Sequence, residues 1–134
     1  MAKLIRFGIS IEKDLSDKFD KFIQEKNYTN RSEAIRDLIR ETFVKESWKK
    51  NKNVSGAITM IYSHHHRALV DKLLDIQHDY YGIIISSQHI HLSHHDCLEV
   101  VAVKGNSRVI QSLADKLKSM KGVQHVSLAM TGVS

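Results

Sequence analysis

His89 and His91 stand two residues apart in an apolar stretch, followed at short range by Cys97 and Glu99. On a strand, residues two apart leave the same face, separated by about 7 Å along the backbone, so both imidazoles can converge on one ion. A hairpin centred on His94 sets Cys97 opposite His91 and Glu99 opposite His89, because cross-strand partners share a face. Two imidazoles, a thiolate and a carboxylate then gather in one place. A lone His-x-His is as well explained by a polar edge strand, but the matched cysteine favours a metal site. His78, at the end of a preceding helix, is placed on the wrong side of its own sheet and becomes available from a neighbouring chain. Three imidazoles and one thiolate suit zinc as a tetrahedron, and Ni(II) or Cu(II) if held in a plane; donor identity alone does not select the ion.

The other histidines have no comparable spacing. His64, His65 and His66 are consecutive and diverge from a strand end, which fits an exposed polar turn or peripheral metal binding. His94, His95 and His125 read as solvent-exposed. Gln77 and Glu99 are placed to orient ligating imidazoles through the ring nitrogen that the metal leaves free.

The elements that must position these groups follow from periodicity. Ser55 onward reads as strand (57–62), helix (67–78), strands (83–92 and 98–103), helix (109–120) and strand (123–130). This is the split βαβ order, an antiparallel sheet with helices on one face. Ile90, Leu92, Leu98, Val100 and Ala102 are expected under the helices. The ligand face, with Ile83, Ile85, Val101 and Val103, is expected against another subunit, since a sheet apolar on both faces needs two covers.

Upstream, Ile5, Phe7, Ile9 and Ile11 alternate with Arg6, Gly8 and Ser10 as a half-buried strand from Leu4 to Ile11. A helix carrying Leu15, Phe19, Phe22 and Ile23 ends at Asn27, which tolerates the left-handed turn. Asn30 and Glu33 form a capping box opening a second helix with the stripe Ile35, Leu38, Ile39 and Phe43. One strand and two helices cannot bury a core alone, so the strand is expected to pair antiparallel with its copy, Phe7, Ile9 and Ile11 inward and Arg6, Gly8 and Ser10 outward. Asn30, Arg31 and Ser32, at a helix N-terminus, can cap it or hold a phosphate. The polar segment 49–53 separates the halves, giving domains over 1–52 and 53–134.

Charge follows the same division. Residues 1–54 hold 13 Lys/Arg against 9 Asp/Glu and no histidine, while residues 55–134 hold 7 against 6 and all nine histidines. The net charge of +5 permits nucleic-acid binding without requiring it. A single cysteine excludes an intrachain disulfide, and the absence of a long apolar run or signal-like start predicts a soluble, cytoplasmic protein. Four protein ligands would close a metal site, and no other acid–base or nucleophile set is present, so an enzyme is not expected.

The chain resembles the NikR family of nickel-responsive regulators, most specifically in Asn30-Arg31-Ser32-Glu33-Ala34-Ile35-Arg36-Asp37-Leu38, Gln77-His78, His89-Ile90-His91 and Asp96-Cys97-Leu98-Glu99. The resemblance covers nearly the whole chain. It implies an α+β protein, with an N-terminal ribbon-helix-helix DNA-binding domain and a C-terminal ferredoxin-like βαββαβ, ACT-like domain. It implies square-planar Ni(II) on His89, His91 and Cys97 with His78 of another subunit, in a homotetramer built from two DNA-binding dimers. Arg6 and Ser10 would face the major groove of a palindromic double-stranded operator, and nickel would promote repression of nickel uptake. Gly8 stands where a small hydroxyl residue is commoner in the family. Glu33 and Asp37 lie where the family can hold a second cation, although a solvated helix face explains them too. The alternative function is transition-metal storage or delivery, which needs a closed reversible site but no N-terminal ribbon.

Overall fold

The computed structural model describes residues 2–132 and divides into two compact units, Met1–Glu41 and Thr42–Ser134. In the first, residues 2–12 lead into α1 (Lys13–Glu25), and Asn27 takes φ 60° in the turn before α2 (Arg31–Lys49). Asn30 Oδ1 accepts a hydrogen bond from the Glu33 backbone N–H at 2.9 Å, which caps α2. The expected strand over 4–11 does not form within the single chain. A strand is defined by its partner, and this unit supplies one segment only. Leu4, Ile5, Phe7, Ile9 and Ile11 are exposed, as are Leu15, Leu38 and Ile39, and Ala34 is the one described side chain of the unit that is buried. Burial on that scale cannot offset an ordering cost of roughly 1–2 kcal/mol per residue.

The second unit contains the end of α2, then β1 (Asn53–Ser63), α3 (Arg67–Asp79), β2 (Ile84–His91), β3 (Asp96–Asn106), α4 (Ser107–Ser119) and β4 (Gln124–Thr131). The strands form one antiparallel sheet in the order β2-β3-β1-β4, the ferredoxin-like arrangement of a βαββαβ chain. His66 Nδ1 and Asn106 Oδ1 cap α3 and α4 by accepting from Leu69 N–H and Arg108 N–H. Leu69, Leu73 and Ile76 of α3 and Ile110, Leu113 and Leu117 of α4 pack with Val54, Ile58, Met60 and Tyr62 of β1 and with Cys97, Val101 and Val103 of β3.

The helices therefore cover the face that carries Cys97 and Glu99, not the face of Ile90, Leu92, Leu98, Val100 and Ala102 expected from alternation. β3 is apolar on both faces, so its own pattern does not say which one the helices take. The decision lies in β1, where Ile58, Met60 and Tyr62 pair with Val101, Glu99 and Cys97 and share their face. A register shift between Ile84 and Ser86 then moves Ile85, which is 63% exposed, off the face expected for it.

The polar segment 49–53 is partly helical, and α2 runs through Lys49. Trp48, on its last turn, enters the core of the second unit and donates from Nε1 to the Thr131 carbonyl at 3.0 Å. Gly56 lies beneath it. A Cβ there would stand 2.5 Å from the Ala129 carbonyl oxygen and 3.3 Å from the Trp48 ring.

Candidate metal centre

The β2–β3 hairpin sets His91 opposite Cys97 and His89 opposite Glu99, the register expected from a loop centred on His94. Cys97 and Glu99 are each only 1% exposed, whereas His89 and His91 are exposed at the sheet edge. Buried and open donors thus adjoin on one face.

Glu99 is held rather than free. Its carboxylate accepts from the Tyr62 hydroxyl at 2.6 Å through Oε1 and from Gln77 Nε2 at 2.7 Å through Oε2. His89 Nδ1 lies 3.6 Å from Glu99 Oε1 and 3.3 Å from the Tyr62 hydroxyl. Both Glu99 oxygens are thus engaged, and the polar contact that orients His89 is with the Tyr62 hydroxyl, which the carboxylate in turn holds in place. Burial, and then the hydrogen bond to Glu99, push the Tyr62 phenol above its ordinary pKa, so it stays a donor. Sequence reasoning found Gln77 and Glu99 but missed Tyr62, because only the β1–β3 pairing brings it beside them.

His91 stacks on His64, ring centroids 4.6 Å apart and planes within 5°. His64 Nε2 is buried with no hydrogen-bond partner among the described residues. Burial first, and the neighbouring His65 and His91 next, hold this imidazole below its ordinary pKa and hence neutral.

His78 is exposed in the last turn of α3, its ring 6.2 Å from that of Tyr81. Its helix packs on the same side of the sheet as Cys97, as the adjacent Gln77–Glu99 bond requires. The expectation that the sheet itself separates His78 from the site is corrected accordingly. Among the described residues of one chain, no three His, Cys, Asp or Glu side chains converge as a complete metal cage. His89 is turned to Tyr62 and Glu99, and His91 to His64. The donor chemistry nevertheless fits a borderline divalent ion, with two imidazoles and one thiol on a shared face.

In the first unit, Arg6, Gly8, Ser10 and Ser32 are exposed, and a Cβ at Gly8 would meet nothing within 4 Å. Arg31 is committed to α1: its Nε and Nη2 donate to the two Asp20 carboxylate oxygens at 2.8 and 2.7 Å, with Ser16 Oγ at 3.4 Å. That hydrogen bond holds the Asp20 carboxyl below its ordinary pKa. Glu33 pairs with Arg36, while Asp37 accepts from the Tyr28 hydroxyl at 2.7 Å and lies 3.8 Å from Arg40. Each carboxylate of that pair already has a polar partner.

Among known proteins, the NikR C-terminal nickel-binding domain matches residues 55–131. A protein of Syntrophus aciditrophicus named as a nickel-responsive regulator is 54% identical over 99% of this chain and 97% of its own length. One of Thermococcus kodakarensis with the same name is 53% identical over 97% of this chain and 95% of its own. An uncharacterized protein of Thermotoga maritima, 14% identical, covers 59% of the chain and 98% of itself at a TM-score of 0.53, which bears on the fold alone. With a nickel-binding domain matched across the sheet that carries His89, His91 and Cys97, and with full-length relatives at this identity, the chain belongs to the NikR family of nickel-responsive regulators.

Proposed function

We propose that this protein is a transcriptional regulator whose binding to a palindromic DNA operator depends on Ni(II), repressing nickel uptake genes in the cytoplasm. The observation that carries the proposal is the cross-strand pair His91–Cys97, with His89 on the same face and hydrogen-bonded to a Tyr62 hydroxyl that Glu99 holds in place. Three donors from one chain leave a four-coordinate ion short by one, and His78 of a second copy completes the set. Bound nickel supplies a preference for one planar arrangement of these donors. Cys97 reaches it as a thiolate, and the imidazoles bind neutral, so loading releases protons.

The domains are a ribbon-helix-helix over 1–52 and an ACT-like fold over 53–134. The exposed apolar row Phe7, Ile9 and Ile11 supports antiparallel pairing of two copies, which gives each strand its partner and turns Arg6, Gly8 and Ser10 outward to the major groove. Asn30 and Ser32 face the phosphates at the start of α2, with Arg31 pinning α1 beside them. Two such dimers make the homotetramer. Glu33 and Asp37 are the candidates for a second cation.

The test is DNA retardation at moderate salt, with and without one equivalent of nickel, on the parent and on Cys97→Ser. The parent should bind DNA only with nickel and show a sulfur-to-metal absorption band. The variant should show neither. A Cys97→Ser protein with the parent's nickel spectrum would remove Cys97 from the ligand set.

A further inference from the structure

We propose that His65, His94 and His95 form a second, solvent-facing site for a divalent transition-metal ion such as Zn(II), separate from the nickel centre. The three side chains are exposed, and His65, in the turn after β1, meets the adjacent pair His94 and His95 of the β2–β3 loop so that the rings form a near-equilateral triangle. The centroids are 5.6 Å apart for His65–His94, 5.5 Å for His65–His95 and 5.1 Å for His94–His95. Tetrahedral zinc with Zn–N bonds of about 2.0 Å sets each ring centre about 3.2 Å from the ion, hence the ring centres roughly 5.2 Å from one another. The observed triangle has that size. Water fills the fourth position.

Two further features prepare the site. His65 Nε2 lies 2.9 Å from the His94 carbonyl oxygen, so this nitrogen carries the proton and donates, leaving the lone pair on Nδ1 for a metal. The backbone is also fixed. His64 N–H donates to the His95 carbonyl at 3.2 Å, Leu92 N–H to the Asp96 carbonyl at 2.9 Å, and Asp96 N–H to Ser93 Oγ at 3.1 Å. Donor nitrogens of the three rings do not yet point at one centre. Coordination requires these exposed rings to turn about their Cβ–Cγ bonds, a motion that leaves the ring centres in place. A bound ion would tie the turn after β1 to the loop of the hairpin that carries His91 and Cys97.

Zn(II) titrated into the metal-free protein by calorimetry should fill two equivalents per chain, the tighter one lost in Cys97→Ser. In His94→Ala/His95→Ala, and independently in His65→Ala, the weaker equivalent should lose more than about tenfold in affinity, the tighter one remaining. His125→Ala should retain both. In the parent, the ring proton resonances of His65, His94 and His95 should shift together over the weaker equivalent. Absence of the weaker equivalent from the parent, or its persistence unchanged in both variants, would overturn the site. A Zn(II) stoichiometry that Cys97→Ser leaves unchanged would instead count against the nickel centre.

Discussion

The Tyr62 hydroxyl donates to Glu99 Oε1 at 2.6 Å, joining β1 to β3 by a buried bond beneath His89. Tyr62→Phe removes one of the two donors to a carboxylate that is 1% exposed. Leaving that oxygen short of a partner should cost about 1–3 kcal/mol of stability, read by urea unfolding of the metal-free protein. Because the same hydroxyl is hydrogen-bonded to His89 Nδ1 at 3.3 Å, nickel affinity should also fall, by roughly tenfold. Full stability and full affinity in the variant would show the bond to be incidental.

Alkali should reveal the same bond. The unfolded chain releases the Tyr62 proton near pH 10, whereas the folded chain holds it to higher pH, through burial and the Glu99 carboxylate. The contribution of Tyr62 to stability is therefore complete below about pH 10 and declines as pH rises beyond it. Denaturant midpoints measured from pH 8 upward should drop more steeply in the parent than in Tyr62→Phe.

Much of this arrangement was legible in the sequence, and the reasons are local. The His91–Cys97 register follows from a loop centred on His94, and the left-handed Asn27 and the Asn30 cap follow from residue chemistry. What alternation did not disclose was the face beneath the helices. Leu98, Val100 and Ala102 are as apolar as Cys97, Val101 and Val103, and only the pairing with β1 distinguishes them. Tyr62, Trp48 and the histidine triangle were hidden for a related reason: each depends on residues distant in sequence meeting across the sheet or its loops.

Gly56→Ala should be destabilising out of proportion to its size. The new methyl meets the Ala129 backbone carbonyl at 2.5 Å, and a paired strand cannot withdraw as a side chain can. Overpacking of this kind costs about 1–3 kcal/mol, measurable by thermal unfolding. A neutral effect would mean that β4 can move away from β1 and Trp48.

In the N-terminal unit, Arg6→Ala and Phe7→Ala should separate reading from pairing. Arg6→Ala should keep the subunit assembly of the parent by analytical ultracentrifugation while losing specific DNA binding, because the proposed ribbon turns this residue outward to the bases. Phe7→Ala should weaken association itself, since the proposed ribbon puts this exposed side chain on the face that pairs. Unchanged operator affinity in Arg6→Ala would reject the ribbon as the DNA-reading surface.

The most direct test of the nickel-responsive mechanism is a pair of nickel titrations, with and without a duplex selected by the nickel-loaded protein from random sequence. If nickel favours the DNA-binding arrangement, DNA must tighten nickel binding by the same factor, a typical coupling being about 5- to 150-fold. His78→Ala should reduce that factor toward one while both units remain folded. Equal nickel affinity with and without DNA in the parent would contradict the account and leave two uncoupled activities on one chain.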